Sequence, residues 1–423
     1  MYEYKYPHPA LTADCIVFRI GIDGGVSLLL VQRGHEPYKG KWAFPGGFME
    51  IDETIEHCAQ RELCEETGLN VAENQWKEVG VYSAVNRDPR ERVVTVAFYT
   101  VVLESEISGA HIVGGDDASQ AKWFDITELP PLAFEHADIL NKTLELTGFS
   151  TSPHLANLLL SEAIGDICGS SYEFKPCKDY SKLNIIRRDS DFTDDTACTF
   201  AIAKALVEKK DIALQLQSTC RKMIWCGYGG KFRQWLNSKF PKPYGSYGNG
   251  SAMRCSSAAF LAKSKEECEY LAEKTALCTH NHPEGVKGAV ATALAIFYLL
   301  QGNDKDFVRK NVLEQYYPDW ANKTLDELRP DYGFNVTCQG TVPVALLSFL
   351  ESKSYEDCVK LSIATGGDAD TLAAISGPMA YAYYREIPVP LLKLAHEKLP
   401  KEMIVFSSKF DAIANVAKLS PMQ

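Results

Sequence analysis

Glu62, Glu65 and Glu66 stand at spacing i, i+3, i+4 in the run Arg61-Glu62-Leu63-Cys64-Glu65-Glu66-Thr67-Gly68-Leu69, so a helix would put them on one face. Like charges there repel one another. A hard divalent cation would turn that repulsion into ligation, since Mg²⁺ takes carboxylate oxygens and shares itself with substrate phosphates. An acidic, solvated helix face is the competing reading. A second pattern lies far downstream. Phe192-Thr193-Asp194-Asp195-Thr196 runs into the apolar stretch ACTFAIAKAL, and Gly366-Gly367-Asp368-Ala369-Asp370-Thr371 runs into LAAISGPMAYAYY. Asp and Thr ahead of an apolar helix are good N-caps, but a cap needs one acceptor and each of these sites carries two aspartates. If the two helix starts converge, four carboxylates and two Thr hydroxyls form an all-oxygen pocket suited to two Mg²⁺ ions. Plain capping is the alternative. A third stretch with unusual polar content, Gly165 to Phe174, holds Asp166 and Glu173 and reads as a loop.

The elements that must position these groups differ between the two halves. Around the first cluster, Gly46-Gly47 makes a turn, Asp52 can cap a helix starting near Glu53, and Gly68 suits a left-handed C-terminal residue. Before it, Cys15 to Ile20 and Val26 to Val31 flank Gly24-Gly25 and predict a β-hairpin. After it, Val79 to Tyr82, Val93 to Tyr99 and Ala121 to Phe124 read as strands, and Ala133 to Leu146 as a helix. Asn86 to Arg90 reads as a polar turn, in which Arg87 and Arg90 could face phosphate or simply solvent. Small polar residues with Gly and Pro around 148–154 mark a linker. Beyond them helical patterns take over, at Ala197 to Lys209, Lys265 to Cys278, Val286 to Leu300, Tyr355 to Ile363 and Leu372 to Tyr384. The expectation is an α/β domain over 1–147 and one all-α domain over 155–423.

At 423 residues the chain is too long for one ordinary core. The net charge of −11, with no basic tract to offset it, excludes a general nucleic-acid or anionic-membrane binder. The N-terminus has no apolar signal core and no run is read as membrane-spanning. Thirteen scattered cysteines without a CxxC pair point to free thiols in a reducing, cytoplasmic setting. His280 and His282 lack a third soft ligand for zinc and read as substrate-contacting or core residues.

Gly47, five residues, Glu53, seven residues and then Arg61-Glu62-Leu63-x-Glu65-Glu66-x-Gly68-Leu69 resembles the Nudix box at every defining position. YKYPHPALTADC, RGHEPYKGKWAFPGGF and GGDDASQAKWF resemble the ADP-ribose pyrophosphatase branch of that family and its regulator relatives. The resemblance implies an α/β Nudix sandwich in which Glu62, Glu65 and Glu66 hold Mg²⁺ (Mn²⁺ as the alternative) and polarise an attacking water. Glu66 is then catalytic, Arg61 a structural partner for a box carboxylate, and Asp116 or Asp117, with Asp117 preferred, the candidate general base. It also leaves room for a homodimer through this domain. In the second half, GDICGSSYEF, FTDDT, GNGSAMR, THNHPEG and GGDADT resemble the ADP-ribosylglycohydrolase family, in that family's order, over about 155 to 385. That resemblance implies an all-α ADP-ribosylglycohydrolase fold with a binuclear Mg²⁺ centre on Thr193, Asp194, Asp195, Asp368, Asp370 and Thr371. Glu173 matches the family's mobile-loop glutamate near the scissile bond. Gly248, Asn249, Gly250, Ser251 and His282 match segments that line the ADP-ribose pocket. Ala369 departs from the Thr that many relatives carry.

Together the resemblances imply two steps on one chain: release of ADP-ribose from an ADP-ribosylated protein or small molecule, then cleavage of ADP-ribose to AMP and ribose 5-phosphate. Two other readings stand beside this one. In the first, the Nudix half clears oxidised or other nucleoside diphosphate derivatives on its own. In the second, the chain is an ADP-ribose sensor, against which the intact carboxylates speak.

Overall fold

Ala10–Ile20 forms strand β1, and seven successive residues of it, Thr12 to Phe18, are buried. A strand covered on both faces reads as an unbroken apolar run, which is what this segment is apart from Thr12 and Asp14. The computed structural model describes residues 5–107, 112, 118–149, 151 and 156–419. Within it the chain separates into two compact units, Met1–Pro153 and His154–Gln423.

In the first unit the expected hairpin joins β1 to β2 (Val26–Arg33), pairing Phe18 with Leu28 and turning at Gly24 with φ 81°. Short strands β3 (Trp42–Ala43) and β4 (Gly46–Phe48) follow, then β5 (Lys77–Tyr82), β6 (Val93–Leu103) and β7 (Ala118–Asp125). The sheet order is β3-β2-β1-β6-β5, with β4 pairing β1 and β7 pairing β2. β1 lies parallel to β6 along its whole length, and its first half also pairs antiparallel with β4, Asp14 opposite Gly46. This fork sets the strand that carries Asp14 directly beside the Gly-Gly turn. Helix α1 (Ile55–Thr67) packs Cys58, Ala59 and Leu63 against Ala13, Cys15 and Val17 of β1. The expected cap at Asp52 is corrected: Thr54 caps the helix by accepting from the His57 amide, and Glu53 is turned instead toward Arg61. Gly68 ends the helix in the left-handed conformation, φ 73°, as expected. A second helix, α2 (His136–Thr147), completes the α/β unit.

The second unit is helical. Its long helices include α3 (Leu160–Ser170), α4 (Asp194–Val207), α5 (Lys265–Leu277), α6 (Pro283–Leu300), α7 (Cys338–Glu351), α8 (Tyr355–Thr365), α9 (Ala369–Tyr384) and α10 (Lys401–Leu419). One expectation is overturned: Gly165 to Ser170 belongs to α3 and is not a loop. Glycine is a poor helix former, but here two glycines allow one helix to lie on another. A Cβ on Gly165 would stand 2.2 Å from the Ala373 carbonyl oxygen, and one on Gly169 would stand 2.4 Å from the Asp370 Cα. Close approach of α3 and α9 is therefore written into α3 as a Gly-x-x-x-Gly spacing. Helix α6 is long and apolar enough to cross a membrane by length and composition alone; 61% of it is buried, in the core of the unit. The expected linker, 148–154, falls in large part on residues outside those described.

Candidate active sites

The first unit holds a cavity of about 290 Å³, lined by Glu62, Glu65 and Glu66 together with Arg33, Arg87, Phe134 and His136. The Gly-Gly turn exists to let α1 press its carboxylates onto β4. A Cβ on Gly47 would lie 2.4 Å from the Glu62 carboxyl carbon, and one on Gly46, at φ 157°, 2.2 Å from the Ala13 carbonyl oxygen. The Gly46 amide donates to Glu66 Oε2 at 2.9 Å, which fixes that carboxylate at the cavity wall. Arg61 grips Glu53 through two bonds of 2.7 and 3.1 Å and also reaches Glu62 at 2.8 Å and Glu65 at 3.0 Å. The Arg61 guanidinium holds Glu53 down to about 2. Burial, opposed by Arg61, raises Glu62. Glu65 remains about half exposed, at 49%.

Of the two turn arginines, Arg90 is exposed, as the sequence allowed, and Arg87 is not. Arg87 is buried, pairs with Glu135 and stands 3.7 Å from Asp14, while Arg90 pairs with buried Asp88 at 2.7 Å. Sequence reasoning missed Asp14 and His136. Asp14 Oδ2 accepts from the Thr95 hydroxyl at 2.8 Å, and its Oδ1 lies 3.5 Å from His136 Nε2. The Phe44 amide donates to His136 Nδ1 at 3.0 Å, and the two rings stack at 4.6 Å. Burial lowers the His136 pKa, so the ring is neutral, with its one proton assigned to Nε2 facing Asp14. The signal that could have found Asp14 is a carboxylate inside a buried strand. Asp116 and Asp117, the candidate bases, lie outside the described residues.

In the second unit three segments far apart in sequence bring their carboxylates together. Oxygens of Asp166, Asp195 and Asp370 lie within 4.8 Å of one another, as do those of Glu173, Asp368 and Asp370. Asp370 belongs to both groups. Asp166, quoted from sequence but given no role there, reaches the centre because α3 lies against α9. It accepts from the Thr193 amide and hydroxyl, each at 2.8 Å, and from the Thr196 amide at 3.1 Å. Thr193 caps α4, and its hydroxyl also lies 3.3 Å from Asp195 Oδ2, which accepts from Thr371 at 3.3 Å as well. Asp195 Oδ1 is buried without a hydrogen-bond partner. Asp368 stands at the N-cap of α9 yet makes no side-chain cap bond; its Oδ2 accepts from Asn249 Nδ2 at 2.7 Å instead. Burial first, then mutual repulsion, pushes Asp194 and Glu173 up to about 7 and Asp195 and Asp370 well above the carboxylate range. The cluster is an all-oxygen site, and one or two cations beside it would favour the ionised carboxylates against burial and repulsion.

The expected pocket segments divide. Asn249 touches the cluster through Asp368. Gly248 and Gly250 both lie beside His280: a Cβ would stand 3.7 Å from its Nε2 at Gly248 and 3.5 Å at Gly250, and at Gly248 also 3.3 Å from the Val336 carbonyl oxygen. The Ser251 hydroxyl is buried and donates to the Gly285 carbonyl at 2.6 Å, so it braces α6. His282 is exposed and caps α6, accepting from the Glu284 amide at 3.2 Å, with its ring 5.1 Å from that of Tyr247.

The ADP-ribosylglycohydrolase family model matches residues 154–419, and the NUDIX domain model matches residues 8–143. The chain is 41% identical over 135 residues to ADP-ribose pyrophosphatase of Methanocaldococcus jannaschii, a match covering 32% of this chain and 73% of that protein. It is 28% identical over 262 residues to ADP-ribosylhydrolase ARH3 of Homo sapiens, covering 47% of this chain and 72% of that one. A solved ADP-ribosylglycohydrolase-related protein superimposes with a TM-score of 0.51 at 21% identity, over 61% of this chain and 96% of its own, and so shares the fold.

Proposed function

This chain belongs to the ADP-ribosylglycohydrolase family and carries a Nudix hydrolase domain fused ahead of it, and from that premise we propose that it is a bifunctional, Mg²⁺-dependent hydrolase that releases ADP-ribose and then splits it. Both halves belong to hydrolase families, and the relatives of each include an enzyme named for ADP-ribose chemistry. The observation that carries the first step is the convergence of Asp195, Asp368 and Asp370 with Glu173 in one buried cluster, with Asp195 Oδ1 left unpartnered. Such a donor set fits a pair of hard cations held by Thr193, Asp194, Asp195, Asp368, Asp370 and Thr371. Bound there, the cations supply Lewis acidity and orient water and the ribose hydroxyls. The chain's own residues do the rest. Asn249 keeps Asp368 in place, and Asp166 keeps the Thr193–Thr196 turn in place. Glu173, with its carboxyl pushed up toward neutrality by burial, exchanges a proton with the departing atom. The bond from C1″ to the leaving group breaks, a water oxygen takes its place, and the water proton passes to a carboxylate. Gly248, Gly250 and Ser251 shape the wall beside Asn249, and His282 with Tyr247 offers an aromatic face to the ligand.

In the Nudix domain Glu62, Glu65 and Glu66 would hold a Mg²⁺ that would supply Lewis acidity to the diphosphate, with Asp117 proposed as the base. Arg61 keeps Glu62 and Glu65 from repelling one another, and the Gly46 amide aims Glu66 into the cavity. Water adds to one phosphorus, the bridging P–O bond breaks, and AMP and ribose 5-phosphate leave. The thirteen free cysteines support work in a reducing, cytoplasmic setting. The test is incubation with Mg²⁺ and ADP-ribose, following AMP by chromatography. AMP is expected, and Glu66→Gln should lower its rate at least about a hundredfold. Turnover of oxidised nucleotides without AMP from ADP-ribose would overturn the assignment, as would tight ADP-ribose binding without turnover.

A further inference from the structure

The segment after α3 carries Glu173 and then Lys178, and Lys178 is tied to a part of the chain some 150 residues away. Its ammonium donates to the carbonyl oxygens of Arg329 at 2.6 Å, Pro330 at 3.2 Å and Tyr332 at 2.7 Å. A lysine has three donors, and here all three end on the backbone of one turn. The aliphatic stem lies over Gly366, whose φ is +81° and where a Cβ would stand 2.9 Å from Lys178 Cε. The next residue, Gly367 at φ +94°, is covered by the same turn: a Cβ there would meet Tyr332 Cε1 at 2.8 Å and the Gly333 oxygen at 2.9 Å. Gly366 and Gly367 lead directly into Asp368 and Asp370. A second tie joins the same two segments, since Phe174, next to Glu173, stacks on Phe334 at 5.9 Å although both rings are largely exposed. Three stretches thus meet at one lysine: the Glu173 segment that carries it, the turn 329–332 at its ammonium and the diglycine before the aspartates at its stem.

Resting on the glycohydrolase reading above, we propose that Lys178 is a positioning residue for glycosidic cleavage, a clasp that holds the Glu173 segment over the acidic centre. Charge is what the clasp needs, because the partners are carbonyl dipoles that a neutral side chain would not gather. The two glycines are the other half of the device. Only a residue without Cβ, free to take positive φ, lets the lysine stem and Tyr332 lie flat on the turn that presents Asp368 and Asp370. The clasp therefore couples the placement of Glu173 to that of the carboxylates it works with.

The full-length chain in Mg²⁺ buffer carries the test, with Lys178→Met, which keeps length and loses the donors, and Lys178→Arg, which keeps the charge. Backbone hydrogen exchange should rise about tenfold or more in 171–183 and 329–333 of the Met variant, and stay unchanged in α1 and β1 of the other unit. On whichever ADP-ribosyl substrate the wild type turns over, kcat should fall about tenfold or more with KM within about threefold, while the Arg variant recovers a large part of kcat. AMP formation from added ADP-ribose should not change in either. Unaltered exchange in both segments overturns the clasp, and raised exchange with unaltered kcat overturns its positioning role. If the wild type cleaves no ADP-ribosyl bond, the glycohydrolase reading fails, and the positioning role fails with it, while exchange still decides whether the clasp exists. Should the Met variant not fold, Phe334→Ala removes the second tie from an exposed position and is read in the same two ways.

Discussion

Asp411 shows what one buried carboxyl does to the stability of the second unit. Its two oxygens accept from the Asn157 amide at 2.7 Å and the Leu158 amide at 2.9 Å, fastening α10 to the chain just ahead of α3. Burial pushes its carboxyl up to about 8 despite those bonds. Because the folded value lies above the unfolded one, folding takes up a proton here. The stabilising contribution is whole below the ordinary carboxylate range, near 4, and is lost as pH rises through about 8. Between pH 5 and pH 8.5 the unfolding midpoint of the wild type should therefore fall several degrees more than that of Asp411→Asn, a difference of the order of a few kcal/mol. Equal slopes by calorimetry would show that the carboxyl is not the titrating group. The carboxylates Glu62, Glu65, Glu66, Asp194, Asp195, Asp368 and Asp370 were legible because each sits in a fixed spacing. Asp411, Asp14 and His136 were not, because a lone Asp or His in an apolar segment carries no spacing and is given its partners only by packing.

Elements place the carboxylates through glycines, in different ways in the two units. In the first, Gly46 and Gly47 allow a helix face to press on a strand turn; in the second, Gly165 and Gly169 let α3 touch the backbone of α9. Gly169→Ala should force these helices apart and cost about 1–3 kcal/mol, as overpacking does in a filled interior. It should also separate Asp166 from Asp370 and lower glycohydrolase turnover, leaving AMP formation intact. A thermal midpoint within a degree of wild type would show that the helices yield without cost. Sequence could not announce this contact. The same glycines lowered the helical character of 165–170, so the stretch read as a loop, and only the packed partner explains why glycine is there.

For the whole chain the expectation is two centres that fail separately. Glu66→Gln should stop AMP formation and leave release of ADP-ribose, so that ADP-ribose accumulates from an ADP-ribosylated substrate. Asp370→Asn, at the residue common to both carboxylate groups, should lower release at least about a hundredfold and leave conversion of added ADP-ribose to AMP unchanged. Independent centres behave additively, so the double variant should show the two losses and nothing more. Loss of both activities in either single variant would contradict two independent centres.

By itself the sequence determined the two families, the alternation of strand and helix patterns in the first half, the helical second half and the acidic residues of both clusters except Asp166. These follow from local rules: side-chain periodicity, capping chemistry and carboxylate spacing along one helix turn. Only the tertiary structure decided that Asp166 faces Asp370, that Asp14 and His136 meet in the wall of the Nudix cavity, and that Lys178 ties the Glu173 segment to the turn 329–332. Each of these pairs residues tens to hundreds of positions apart, and a contact at that separation is set by how helices and strands pack. Glu62, Glu65 and Glu66 could be read from one turn of helix; the groups that hold their counterparts in the second unit could not.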